Sequence, residues 1–158
     1  MTRFSLPLTQ LIHKNLSVLM TFCFSRNQLD KLVETQFIGE WKYLRKGLFE
    51  VSEKRAEKAC LELAMFLRML DDEQEISDYG KHKTSPLNYG KLIITGKPEQ
   101  ILGLRDVCNK IIHASGFQWD FSYEHKPKLI CTSQESEKWG RAEIDIVNLA
   151  TFCGELMH

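Results

Sequence analysis

The chain of 158 residues has no formal net charge, because 21 lysine and arginine residues balance 21 aspartate and glutamate residues. This balance argues against a strongly cationic nucleic-acid-binding protein, although it leaves room for a local basic patch. No window of 18 apolar residues is present, so we expect neither a transmembrane helix nor a membrane partner. Residues 16–24 are apolar but lack a small-x-small cleavage site after them, so we expect no signal peptide.

The five cysteines lack the close spacing that metal and redox motifs require. They are Cys23, Cys60, Cys108, Cys131 and Cys153, and no two of them form a CxxC pair. This spacing disfavours zinc ribbons and redox sites, and it predicts reduced, mostly buried thiols in a cytoplasmic protein. Because HExxH, Walker, GxGxxG and GxSxG motifs are also missing, the sequence suggests no metal or cofactor.

The length and a hydrophobic fraction of 43% predict one globular domain over residues 1–158. Apolar residues three and four positions apart predict helices over about 6–23, 27–47, 53–70 and 98–115. Ser25, Asn27 and Ser52 are candidate helix caps, and Pro98 fits a first helical turn. Residues 71–97 are rich in turn-forming residues and predict a loop, in which 91–95 is a short strand or an extended connection.

The sequence changes character after residue 116. Alternating apolar and polar residues predict three strands, at 117–123, 128–132 and 139–147. A closing helix is expected over about 148–157. The predicted fold class is therefore α+β and mainly α, with a helical part over about 6–115 and a small antiparallel β-meander over about 117–147.

One helix carries three side chains suited to chemistry on RNA. Arg105, Asn109 and His113 are spaced by four, which places them on one ridge of the helix predicted over 98–115. Cleavage of RNA needs a base for the 2′-hydroxyl or an acid for the leaving 5′-oxygen, and a histidine serves as either. An arginine stabilises charge on the phosphate, and an asparagine orients the histidine. The same residues also fit a structural role, with a buried histidine and two polar residues at the edge of the packing.

The segment Cys108-Asn109-Lys-Ile-Ile-His113 resembles the motif of the HEPN superfamily, whose compact form is Arg-Asn-x-x-x-His. Asn109 and His113 match that form, Cys108 stands in the arginine position, and Arg105 lies one turn earlier. The resemblance implies a HEPN-like helical bundle that binds RNA, with metal-independent ribonuclease activity in a defence or toxin–antitoxin system. It also implies a homodimer in which the two motif helices face each other across a shared cleft.

Three hypotheses stay open. In the first, the protein is an RNA-binding ribonuclease in which His113 is the general acid or base, Asn109 its orienting partner and Arg105 a phosphate clamp. In the second, it is a non-catalytic module that binds a protein partner. The chain itself would then be an immunity or antitoxin-like protein, or an accessory subunit. Cys108 in the arginine position and the neutral net charge favour this alternative. In the third, it is an unrelated α+β domain.

Two other segments contain residues that bind single-stranded nucleic acid in other proteins. His82 lies between Lys81 and Lys83 in the predicted loop, where a solvated surface is the simpler interpretation. Aromatic residues alternate along the strand predicted over 117–123. Such a face is either a stacking platform or part of a sheet core, and the sequence favours the core.

Overall fold

The structure is a computed structural model that describes residues 6–37, 39, 41–81, 87–133 and 140–157. Long helices make up most of the first half, and a sheet with two further helices makes up the second. The elements in chain order are α1 (Leu6–Thr35), α2 (Trp41–Arg45), a π-helical segment (Lys46–Glu50), α3 (Val51–Gln74), α4 (Ile76–Lys81), β1 (Gly90–Ile93), β2 (Gln100–Ile101), α5 (Leu104–Ile112), β3 (Gly116–Asp120), β4 (Lys128–Thr132), β5 (Arg141–Asp145) and α6 (Ile146–Leu156).

Helix α1 runs without interruption through the break predicted between residues 23 and 27, so that prediction is wrong. The physical reason is packing, because Phe22 and Cys23 of this stretch belong to the hydrophobic core. The Ser25 hydroxyl donates to the carbonyl of Phe22, 3.4 Å away, as a serine inside a helix does, and so it does not cap a new helix. Ser52 behaves in the same way, since its hydroxyl donates to the carbonyls of Leu48 and Phe49 in the preceding turn.

Helix α3 confirms the helix predicted over 53–70 and extends it to Gln74. It ends where Glu75 adopts a left-handed conformation with φ 52°, and the N–H of Glu75 donates to the carbonyl of Asp71 at 2.9 Å. The helix predicted over 98–115 is shorter than expected. It begins at Leu104, because residues 100–101 pair with β1 as a strand, so Pro98 lies outside the helix.

The sheet has five antiparallel strands in the order β2-β1-β5-β4-β3. The predicted meander is confirmed as β3-β4-β5, and the predicted bounds of β4 are those observed. The loop predicted over 71–97 is wrong in part, because α4 and β1 lie within it, although 91–95 was open to a short strand. Residues 134–139, which include the start of the third predicted strand, lie outside the described residues.

One hydrophobic core joins the sheet to the helices. Buried residues of β4 and β5, such as Leu129 and Ile144, belong to the same cluster as the inward faces of α1, α3, α5 and α6. The residues between them, such as Lys128 and Glu143, lie on the other face of the sheet. The prediction of an α+β, mainly α protein is therefore confirmed, with the helices packed on a sheet larger than expected.

The five cysteines are free and buried, as the sequence predicted. Within the described ranges, no helix is long and apolar enough to cross a membrane.

Candidate functional site

Helix α5 carries the predicted site residues Arg105 and Asn109 on the side that is not buried in the core, and His113 caps its C-terminal end. Its apolar residues form a narrow stripe packed into the core: Leu104, Val107, Cys108 and Ile111. Arg105 and Asn109 are half-buried at the boundary with α3, and His113 is exposed at the C-terminal end of the helix. The ridge predicted from the spacing of four residues is therefore present, but its three side chains have different surroundings.

Arg105 is held by two carboxylates of α3. Its Nη1 atom lies 2.9 Å from Oδ2 of Asp71 and 2.7 Å from Oδ1 of Asp72. Asp71 is 7% exposed and also accepts the main-chain N–H of Ser77 at 2.8 Å. Burial alone raises the pKa of the Asp71 carboxyl, but hydrogen bonds from Ser77 and Arg105 outweigh it and leave the pKa below its ordinary value. A phosphate would compete with these carboxylates for the same donors.

Asn109 has a different partner, which the sequence analysis did not identify. The Nη1 atom of Arg68 on α3 donates a hydrogen bond to Oδ1 of Asn109. An amide oxygen carries no charge, so this contact leaves the positive charge of Arg68 uncompensated. The Nε atom of Arg68 is buried and has no hydrogen-bond partner among the residues that the structure describes.

Cys108 occupies a core position, which explains why an arginine is missing there. The residue is 1% exposed, and burial raises the pKa of its thiol to about 12. A guanidinium at this position would lose its hydration inside an apolar cluster, at a cost of several kcal/mol. The arginine nearest to Asn109 therefore comes from a neighbouring helix.

His113 is accessible to solvent, so the alternative of a buried structural histidine is wrong. Its main-chain N–H donates to the carbonyl of Asn109 at 3.0 Å and closes the last turn of α5. Its imidazole makes no hydrogen bond or ion pair with the described part of the chain. The imidazole is thus free to meet a ligand one helical turn beyond the contact between Arg68 and Asn109.

The other predicted candidates contribute little to this site. Trp119 and Phe121 pack edge-on against Phe22, with ring centroids 5.1 and 5.8 Å away, so the core interpretation is confirmed for these two residues. It is wrong for Tyr123, which lies beyond the end of β3 at Asp120. Tyr123 is 64% exposed, and Lys128 lies 5.9 Å from its ring. His82 and Lys83 lie outside the described residues.

The described residues contain no group of three or more His, Cys, Asp or Glu side chains that could hold a metal ion. We compared the chain with protein-family models, with curated proteins and with solved structures, and none of them matched. The resemblance to the HEPN motif therefore depends on residues 108–113 and on the surroundings of α5.

A sequence signal for the α3 partners does exist. Leu63, Leu67 and Asp71 are spaced by four, so a carboxylate continues the apolar stripe of α3. A charge in that position requires a buried partner, which indicates a cation on a neighbouring element. Nothing in the sequence says that this cation is Arg105 or that Arg68 contacts Asn109.

Proposed function

We propose that the protein binds RNA through the exposed side of α5 and cleaves it without a metal ion, as a HEPN-like ribonuclease. The observation that supports this most directly is the hydrogen bond from Arg68 to Asn109. It brings an arginine to the asparagine of a motif whose own arginine position is occupied by a buried cysteine. In this proposal Arg68 takes the role that the motif gives to arginine, and Arg105 positions α5 against α3.

The proposed reaction is a transfer of the phosphodiester to the neighbouring 2′-hydroxyl. One imidazole accepts the 2′-hydroxyl proton while the 2′-oxygen attacks phosphorus and the bond to the 5′-oxygen breaks. The 5′-oxygen takes up a proton, and the products are a 2′,3′-cyclic phosphate and a 5′-hydroxyl. Arg68 binds the phosphate as negative charge builds up on its oxygens, and Asn109 holds Arg68 in place.

A homodimer belongs to this proposal. One exposed His113 per chain supplies one acid or base, and the reaction uses one of each. A second copy with its α5 facing the first would bring two imidazoles to the same phosphate. Because each His113 ends its helix at the surface, close approach of two such helices would need no change in the core.

A second candidate function is favoured by the pairing of Arg105 with Asp71 and Asp72. These carboxylates repel a phosphate and reduce the attraction of the α5 surface for RNA. A non-catalytic module that binds a protein partner through the same surface fits this charge pattern. The motif would then be a remnant, and neither RNA binding nor cleavage would be observed.

The proposal is tested by incubating purified protein with single-stranded RNA in the presence of EDTA. The variants are His113→Ala, Arg68→Gln and Arg105→Gln, and each is first checked for folding by circular dichroism. His125→Ala is the matched control, because His125 is an exposed histidine in the turn before β4. We expect cleavage by wild type and by the control, and loss of about 100-fold or more in His113→Ala and Arg68→Gln.

Arg105→Gln separates the two arginine roles. We expect it to retain more activity than Arg68→Gln at matched folding, since its guanidinium is already bound to carboxylates. A greater loss of cleavage activity in Arg105→Gln than in Arg68→Gln would indicate that Arg105, and not Arg68, binds the phosphate. Equal cleavage by all variants would indicate a contaminating nuclease, and no cleavage or RNA binding by any of them would favour the non-catalytic module.

A further inference from the structure

A cavity of about 270 Å³ lies between α1 and α3, away from the motif helix. Lys14 and Asn15 of α1 line one side of it, and Arg55 and Lys58 of α3 line the other. Arg55 and Arg68 are thirteen residues apart on α3, which is roughly 20 Å at 1.5 Å per residue. The cavity is therefore separate from the site proposed for RNA.

Asn15 is the most informative residue in this cavity. It is 3% exposed, and its Nδ2 atom is buried without a hydrogen-bond partner among the described residues. A buried amide donor without an acceptor is costly and is rare in folded proteins. Asn15 also lines the cavity, so a group bound there is the candidate acceptor for this donor.

The charged groups around Asn15 define the ligand further. Lys14, Arg55 and Lys58 bring three positive charges to the cavity, and Glu62 brings one negative charge. Glu62 is paired with Lys58, whose Nζ lies 3.8 Å from its carboxylate. With these two paired, Lys14 and Arg55 leave the cavity with an excess of cationic donors, which suits an anionic group.

A second cavity of about 440 Å³ adjoins the first, and Val18 and Arg55 line both. Its apolar walls come from Phe22, Leu29 and Leu48. The two cavities together fall within the size range of small-molecule sites, roughly 300–1,000 Å³. We call the two adjoining cavities the groove, in which the cationic residues line one cavity and the apolar walls belong to the other.

Two features of the apolar cavity support its use as a site. The hydroxyls of Ser25 and Ser52 already donate to main-chain carbonyls of the preceding turns. An apolar chain in this cavity would therefore leave neither hydroxyl without a hydrogen-bond partner. Leu48 belongs to the π-helical segment Lys46–Glu50. Such segments are rare and are found frequently at functional sites.

We infer that this groove binds an amphipathic organic anion, a carboxylate that carries a short aliphatic chain. The carboxylate accepts hydrogen bonds from Asn15 Nδ2 and Arg55, and the chain lies against Phe22, Leu29 and Leu48. The inference does not depend on the proposed ribonuclease activity, since none of these residues belongs to the α5 site.

The test is isothermal titration calorimetry of the full chain with decanoate below its critical micelle concentration. Decanol provides the chain without the charge, and acetate provides the charge without the chain. Two variants probe the cavity lined by the cationic residues, Arg55→Gln and Asn15→Leu. Lys54→Gln is the matched control, because Lys54 precedes Arg55 on α3, is 82% exposed and pairs with Glu57 at 3.4 Å.

We expect saturable binding of decanoate to wild type and to Lys54→Gln, and at least a tenfold weaker affinity in Arg55→Gln and Asn15→Leu. Asn15→Leu should also raise the melting temperature of the ligand-free protein, because it removes a buried donor without a partner. No binding of decanoate to wild type would overturn the inference. Equal affinity of wild type and Arg55→Gln would overturn it too, as would binding of decanol as tight as that of decanoate.

Discussion

Arg105 on α5 lies 2.9 Å from the carboxylate of Asp71 on α3, and this contact joins the motif helix to α3. Asp71 is buried, whereas Arg105 reaches the surface and also contacts Asp72. The pair thus connects the interior of α3 with the exposed side of α5. Because Asp71 also accepts the N–H of Ser77, the same carboxylate helps to place α4 after the end of α3.

We predict that Asp71→Asn lowers stability in a pH-dependent manner. The pKa of Asp71 in the folded protein lies below its ordinary value of 3.8, so its stabilising effect is complete above that value and is lost as the pH falls below it. Urea unfolding near neutral pH should show a loss of about 1–2 kcal/mol in Asp71→Asn. The difference in unfolding free energy between Asp71→Asn and wild type should be smaller at about pH 3.

Asp72→Asn is the control for this experiment, because Asp72 contacts the same guanidinium but lies at the surface. Its effect should stay within about 0.5 kcal/mol at either pH. If Asp71→Asn were as mild as Asp72→Asn, the buried carboxylate would not contribute to folding in the way described.

We predict that Arg68 and Asn109 are energetically coupled. A double-mutant cycle with Arg68→Ala and Asn109→Ala, measured by urea unfolding, should give a coupling free energy of about 0.5–1.5 kcal/mol. Pairing Arg68→Ala with Glu124→Ala, at an exposed position in the turn before β4, should be additive. Additivity in the Arg68–Asn109 cycle would show that the hydrogen bond does not contribute to stability.

We predict that the thiols are unreactive in the folded protein. Burial raises the pKa of Cys23, Cys108, Cys131 and Cys153 to about 12, and it also raises the pKa of Cys60 well above its ordinary value. A chromogenic disulfide reagent at about pH 8 should therefore label the native protein slowly, since the thiolate is scarce and enclosed. All five thiols should react after denaturation. Rapid labelling of the native protein would contradict this burial.

We predict that Gly90→Ala is strongly destabilising. Gly90 starts β1 with φ 151°, and a Cβ there would lie 2.1 Å from the carbonyl oxygen of Glu143 on β5. Because that contact is with backbone, relief requires the strands to separate, at a cost of roughly 3 kcal/mol. The measurement is thermal unfolding of the purified variant.

Gly154→Ala is the opposite case and serves as its control. Gly154 lies within α6, and a Cβ there would meet no atom within 4 Å. Alanine should raise stability by about 0.5–1 kcal/mol through its higher helix propensity. A loss of stability in Gly154→Ala comparable to that in Gly90→Ala would mean that the two sites do not differ as described.

Local patterns were enough to predict several elements. The alternation in residues 128–132 predicted β4 with its observed bounds, because adjacent side chains of a strand point to opposite faces. The apolar spacing of α3 predicted its core side chains for the equivalent reason in a helix. The cap at Ser25 failed because a serine hydroxyl also bonds back to its own helix, and only packing decides between the two.

The sequence by itself determined that Arg105, Asn109 and His113 share one ridge, since a spacing of four residues defines a helical face whatever the tertiary structure. It also determined the fold class, because the periodicity of apolar residues records which faces are buried. Tertiary structure alone decided that Arg105 pairs with Asp71 while Arg68 contacts Asn109. Those contacts join residues 34 and 41 positions apart, and such pairs depend on how α3 packs against α5. No local periodicity contains that information.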